Sequence, residues 1–309
     1  MKKVFIDGSA GTTGLRIYER ISNREDVELI ILPDEVRKDA KARKAAINSA
    51  DVVFLCLPDD AAREAVSFVE NENVTVIDAS TAHRTLPDWA YGFPELSKKH
   101  EEKITSSKRI AVPGCHASGF IALVYPLIEQ GFLDKDVLLT CHSITGYSGG
   151  GKKMIAEYED ENRNRLLDAP RQYALGQQHK HLKEMKAVCG LENAPIFCPI
   201  VSDFYSGMTV TVPLFASMLK KGGIEDIKAL YKEKYTSEFA RFVENVDEGG
   251  LLSGLANSEK DGMKIAVAGN EERILLLASY DNLGKGASGA AIECMNIAIG
   301  AERTKGLVL

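Results

Sequence analysis

A glycine-rich turn set directly between an apolar strand and a helical segment limits what the start of this chain can become. Val4-Phe5-Ile6 runs into Gly8-Ser9-Ala10-Gly11-Thr12-Thr13-Gly14, and helical patterning follows from Thr13 to Ser22. Glycine there permits a tight reversal, lets the backbone approach a pyrophosphate and packs helix against strand. The helix start then attracts the anion. The spacing is G-x-x-G-x-x-G, not the commoner G-x-G-x-x-G, and a purely structural turn is the alternative reading. Placement after a strand in a βαβ unit supports the dinucleotide reading. Gly8, Ser9, Gly11, Thr12, Thr13 and Gly14 are the candidate contacts.

Further apolar runs follow at Val27–Leu32, Val52–Leu57, Val74–Ile77 and Ile110–Val112, with helical segments at Val36–Asn48 and Ala61–Glu70. Short, β-branched runs that are apolar on both faces read as strands buried in a parallel sheet. Their alternation with helices predicts a doubly wound, Rossmann-like α/β sheet. The later part reads differently. Met208–Phe215 predicts a long strand, Lys264–Ala268 and Arg273–Ala278 a hairpin, and Ile224, Ile227, Leu230 and Tyr231 one face of a helix. That predicts an α+β domain with a mostly antiparallel sheet. The expected division is a dinucleotide-binding domain over residues 1–114, completed by a C-terminal helix within 287–309, and a catalytic domain over 115–286.

Pro113-Gly114-Cys115-His116-Ala117-Ser118 places one cysteine where a strand ends and a helix begins, a helix expected to close at Pro126 or soon after. A thiol at a helix N-terminus lies in the positive end of the peptide dipoles, which stabilises the nucleophilic thiolate. A small buried apolar residue is the alternative. His116, next in sequence, points away from Cys115 in either regular structure and is given no base role. His83 and His142 read as structural.

His179-Lys180-His181-Leu182-Lys183-Glu184 offers a histidine pair. With a helix starting near His181, Glu184 falls at i+3 and can orient its ring. Either histidine is suited to proton transfer near neutral pH. Without context, two surface histidines come first, and a two-ligand metal site is a further reading. Ser143–Lys152, rich in glycine and hydroxyls and ending in Lys152, reads as an anion nest or a flexible domain-crossing loop. The end of the second strand, Asp34-Glu35-Val36-Arg37-Lys38, carries acids suited to the free ribose of NAD and bases suited to the 2′-phosphate of NADP, so the residues alone leave that choice open. Ser80, after the fourth strand, either touches the cofactor or caps a turn.

A net charge of −6 argues against a nucleic-acid partner. No apolar run approaches the ~20 residues of a membrane helix, and the N-terminus is too soon polar for a signal peptide. The six cysteines are scattered with no CxxC pair, which suits a reducing cytoplasm and argues against a zinc ribbon or a disulfide framework, leaving a metal site only to distant ligands. Expected partners are a small-molecule substrate and further copies of the chain.

Taken together, these segments resemble the N-acetyl-γ-glutamyl-phosphate reductases of arginine biosynthesis, in their shorter second type. The matching stretches are Gly8–Gly14, Cys56-Leu57-Pro58-Asp59-Asp60-Ala61-Ala62, Asp78–Arg84 with Trp89–Glu95, Pro113–Ser118, Gly146–Lys152, His179-Lys180-His181 and Asn282–Gly289. The resemblance implies NADPH-dependent reduction of N-acetyl-L-glutamyl 5-phosphate to the 5-semialdehyde and phosphate. It implies a thioester on Cys115, with the H-x-H motif on His179 and His181. Arg37, Pro58 and Ser80 join the cofactor contacts, and Ser148, Gly149, Gly150 and Lys152 hold the leaving phosphate. His116 stands where Tyr is commoner in that family, and Lys183 where Pro is. The rival expectations are an aspartate-semialdehyde-type dehydrogenase and a non-catalytic NADP sensor.

Overall fold

The protein is described by a computed structural model covering every residue except Asp247. The chain forms two compact units, Met1–Pro113 with Ala287–Leu307, and Gly114–Gly286 with Val308–Leu309.

In the first unit the strands are β1 (Lys2–Asp7), β2 (Val27–Ile30), β3 (Val52–Leu55), β4 (Thr75–Asp78), β5 (Ala90–Tyr91) and β6 (Arg109–Ala111). The helices are α1 (Thr12–Ile21), α2 (Ala40–Ser49), α3 (Asp59–Ser67), α4 (Lys98–Ser106) and, from the C-terminal segment, α9 (Gly289–Ile299). All strand pairs are parallel, in the order β2-β1-β3-β4-β6-β5. Alternate side chains of each strand enter opposite cores. Val4 and Ile6 join Ile17, Ile21, Ile104 and Ala290–Ile292 on one face, while Phe5 joins Ala46, Ile47, Ala62 and Ala65 on the other. Strand order reverses between β1 and β3, so their carboxyl ends form the switch point where such sheets bind ligands. The helix expected from Val36 begins at Ala40, because the Asp39 side chain accepts the Ala42 amide at 2.8 Å and caps it there.

The second unit contains α5 (Cys115–Glu129), β7 (Thr140–Gly146), α6 (Gly151–Glu159), β8 (Arg171–Gln172), α7 (His181–Cys189), β9 (Ile196–Ser202), β10 (Met208–Phe215), α8 (Ile224–Lys234), β11 (Ala240–Phe242), β12 (Met263–Gly269) and β13 (Arg273–Tyr280). Its sheet runs β11-β12-β13-β10-β7-β9-β8. The β11–β12 and β7–β9 pairs are parallel and the others antiparallel.

α5 packs on β10 and β13 and is buried along most of its length. It continues through Pro126 and ends three residues later, at Glu129, as expected. Proline has no N–H for the carbonyl four residues back. That carbonyl, on Ala122, instead accepts the Tyr235 hydroxyl at 2.6 Å, and the Tyr231 hydroxyl donates to Leu123. Two tyrosines of the α8 region thus satisfy the backbone around the proline.

Candidate active site

The turn after β1 is dictated by glycine at two of its three positions. Gly8 has φ +88°, and a Cβ there would sit 2.4 Å from the Cys56 carbonyl oxygen. A Cβ at Gly14 would sit 2.4 Å from the Gly8 oxygen. Gly11 differs, because its Cβ would approach nothing closer than 3.4 Å. The protein's own atoms therefore do not require glycine at 11, whereas a ligand passing close to the backbone would. Two further observations bear on such a ligand. Gly11 caps α1 without any side-chain hydrogen bond, leaving the helix N-terminus open. Thr12 Oγ1 is buried and has no hydrogen-bond partner. Both fit a pyrophosphate. Gly11→Ala is expected to leave the melting temperature within about 2 °C while weakening dinucleotide binding by about tenfold or more, as read by calorimetry. Equal affinity would show that the turn is only structural.

A cleft of about 390 Å³ opens beside this turn, lined by Gly8, Ser9, Tyr18, Asp34, Arg37 and Lys38 among others. Arg37 pairs with the exposed Asp34 at 3.3 Å. Pro58 caps α3 beyond the end of β3. Ser80 follows β4, but its hydroxyl donates to Asp78 at 2.7 Å and accepts the Ala82 amide at 3.1 Å, so its side chain closes a turn. The His83 ring meets Asp78 through Nδ1 at 2.6 Å and stacks on Trp89.

In the second unit Cys115 is the first residue of α5, after Gly114 as N-cap. It is half-buried, whereas burial pushes the thiols of Cys141 and Cys189 far above their usual range. The turn is fastened from three sides. The Gly114 amide donates to Glu184 Oε1 at 2.8 Å. The Tyr280 hydroxyl donates to the Cys115 carbonyl at 2.5 Å and accepts the Gly119 amide at 3.0 Å. Gly286 lies so close that a Cβ on it would be 3.0 Å from that of Cys115.

The histidine pair is not on the surface. His181 is buried and His179 half-buried. His179 Nδ1 accepts the His181 amide at 3.2 Å, which starts α7 and leaves the neutral ring's proton on Nε2. The two rings lie 4.6 Å apart, and His116 lies 5.8 Å from His179 and 5.6 Å from His181. Glu184 comes one turn along α7 from His181. The structure thus brings Cys115, His179, His181 and Glu184 to the facing ends of α5 and α7. Among the described residues no group of three or more His, Cys, Asp or Glu has the geometry to hold a metal ion.

His116 bridges the Ser143 hydroxyl and the Tyr173 hydroxyl, each at 2.6 Å. Burial, then the neighbouring His179, lowers its pKa from 6.5 to about 3. Unfolded His116 therefore binds a proton that the native ring refuses, and stability is lost as pH falls from about 6.5 towards 3. At about 1.4 kcal/mol per pH unit, wild type should lose about 2–3 kcal/mol more than His116→Gln between pH 7 and 4.5 in urea unfolding. Parallel losses would refute this.

The anion-nest residues are divided. Ser148 is turned inward, its hydroxyl accepting the Asn282 side-chain amide at 3.0 Å. Gly149, Gly150 and Lys152 are exposed. Asn282 also accepts the Gly207 amide at 2.8 Å and so ties this loop to the start of β10. The reading of the sequence assigned no part to Tyr173, Tyr280 or Gly286. Gly286 alone carried a signal, as one glycine of the Gly284-Lys285-Gly286 stretch.

The matches to known families follow the same division. Residues 34–104 match the semialdehyde dehydrogenase NAD binding domain, and residues 115–282 match the semialdehyde dehydrogenase dimerisation domain. Solved structures with this fold include aspartate semialdehyde dehydrogenase II from Vibrio cholerae (13% identity, TM-score 0.72, 97% of this chain and 98% of that one). The enzyme from Candida albicans, solved with NADP, is 18% identical with a TM-score of 0.69, over 96% and 98% of the two chains. Relatives from Brucella ovis and Sinorhizobium medicae, both N-acetyl-gamma-glutamyl-phosphate reductases, are each 44% identical over 96% and 97% of this chain and 99% of their own. The chain belongs to the N-acetyl-gamma-glutamyl-phosphate reductase family.

Proposed function

We propose that this chain reduces N-acetyl-L-glutamyl 5-phosphate to N-acetyl-L-glutamate 5-semialdehyde, with NADPH as reductant and release of phosphate. One observation carries the chemistry: a half-buried cysteine at a helix N-terminus, its turn held by the buried Glu184, with a histidine pair at the start of the helix that supplies that glutamate. Near full-length identity to reductases of that name supports the substrate.

Cys115 Sγ attacks the acyl carbon, the bond from that carbon to the phosphate oxygen breaks, and phosphate leaves. Held at the glycine turn of the first unit, NADPH would supply the hydride that the resulting thioester takes up. The thiohemiacetal then loses the Cys115 sulfur, giving the aldehyde and restoring the thiolate. His181 or His179 takes the thiol proton and protonates the developing oxyanion. Backbone amides at the start of α5 stabilise that oxyanion, worth about 3 kcal/mol per donor in well-studied hydrolases. Exposed Gly149, Gly150 and Lys152 receive the leaving phosphate.

The first unit binds the cofactor through Gly8, Ser9, Gly11, Thr12, Thr13 and Gly14, with Pro58 at the neighbouring strand end, while the Ser80 hydroxyl is held by Asp78 and only its backbone is left for the cofactor. Arg37 with Lys38 in the cleft suits the 2′-phosphate of NADP. The chain assembles as a homo-oligomer. Half-buried Ile144, Ile200 and Pro213 on the second sheet, together with the family description of this region as a dimerisation domain, support that. No helix among the described residues is long and apolar enough to cross a membrane.

Run in reverse with phosphate and NADP, the enzyme should prefer N-acetylglutamate 5-semialdehyde over aspartate semialdehyde by about 100-fold in kcat/KM. The opposite preference would assign it the shorter substrate.

A further inference from the structure

We infer that Tyr280 is a positioning residue for Cys115, its hydroxyl setting the backbone of the first turn of α5 and with it the reactivity of the sulfur. The inference rests on the assignment of Cys115 as nucleophile. Tyr280 ends β13, 165 residues from the cysteine, and is fully buried. Its hydroxyl hydrogen-bonds both the Cys115 carbonyl and the Gly119 amide, an i and i+4 pair that the α-helical bond following the Ser118–Gly114 bond would join. An ordinary helix needs no third group there.

The surroundings make room for it. A Cβ on residue 119 would lie 2.7 Å from the Tyr280 oxygen and 2.6 Å from Val210 Cγ2, so glycine alone admits the hydroxyl. On the opposite side, Gly286 lets its own chain lie against Cys115. Asp281, directly after Tyr280, accepts the Leu283 and Gly284 amides at 2.7 and 2.8 Å and the Glu259 amide at 2.6 Å, which fixes the end of β13. The tyrosine is thus anchored independently of the helix it touches. Burial, and next the nearby cysteine, raise the phenol well above its usual range, so it remains a donor throughout the working pH range. Donation draws electron density from the carbonyl of the cysteine itself and so favours the thiolate.

The test is the pH dependence of Cys115 alkylation by iodoacetamide, read by peptide mass, together with kcat and KM. Tyr280→Phe removes the donor and keeps the ring. The alkylation midpoint should rise by about half a unit or more, the rate at pH 7 should fall about threefold, and kcat should fall about tenfold with KM within twofold. Tyr280→3-fluorotyrosine keeps shape and fold but donates more strongly, and should move the midpoint down. If the phenylalanine variant does not fold, the fluorinated one decides alone. A profile and kcat that match wild type, with only the melting temperature changed, would reduce Tyr280 to a packing residue. Activity that survives Cys115→Ser would instead overturn the nucleophile assignment itself, so the two failures are separable.

Discussion

Replacing Cys115 by serine should lower turnover of the acyl phosphate on the order of 10⁴-fold while leaving the Kd for NADPH within about twofold. The size of the loss follows from the chemistry. A serine hydroxyl at this position has no group shown to take its proton as readily as a thiol gives one up, and an ester accepts hydride less well than a thioester. Nucleophile deletions elsewhere cost about 10⁶-fold, with a residue of activity surviving on positioning and oxyanion stabilisation alone. The unchanged affinity follows from the fold: the turn, the orphaned Thr12 hydroxyl and the cleft all belong to the first unit, while residue 115 belongs to the second. Stopped-flow reduction and fluorescence titration read the two quantities separately. A variant turning over near wild-type rate would remove Cys115 from the mechanism.

Glu184→Leu should be the most damaging change at the site that leaves both cysteine and histidines in place. Glu184 is 2% exposed, and its carboxylate accepts the amide of Gly114, the N-cap of α5. A hydrogen bond with one charged partner contributes about 1.5–3 kcal/mol, and the Gly114 amide would be stranded in the interior. The carboxylate also occupies the first turn of α7, where a negative charge favours its own helix. A loss of about 3 kcal/mol in urea unfolding is therefore expected, with kcat lowered by at least about tenfold as the cysteine turn loosens. Glu184→Gln, which keeps an acceptor for that amide, should recover most of the stability. Equal unfolding midpoints for the leucine variant and wild type would show that the buried contact contributes nothing.

What the sequence showed and what it hid divide by distance along the chain. The glycine turn and the strands of the first sheet were legible because their cause is local: a side chain at Gly8 collides with a neighbouring strand end, and residues buried on both faces must all be apolar. The cysteine turn was legible for the same reason, since strand, proline, glycine and helix follow within a few residues. The helix end near Pro126 was legible, but the group that satisfies the carbonyl the proline leaves free, the Tyr235 hydroxyl, lies 113 residues from that carbonyl and was not. The histidine pair looked superficial because the partners that bury it, Phe197 and His116, come from another strand and another helix. Ser148 was placed in the anion nest with no sign that Asn282, 134 residues later, holds its hydroxyl. Tyr280 gave no signal at all, being one aromatic residue at the end of an apolar strand.

The core of the first unit includes Ala290, Ala291, Ile292, Cys294 and Met295 from α9, contributed after residues Gly114–Gly286 of the second unit have been traversed. A ribosome therefore lays down the entire parallel sheet long before it supplies the helix that seals one side of it. Until then that face is covered only in part, by α1 and α4, and a premature stop codon anywhere before Gly289 yields a product destined for chaperones and proteases rather than a smaller functional binder of dinucleotide.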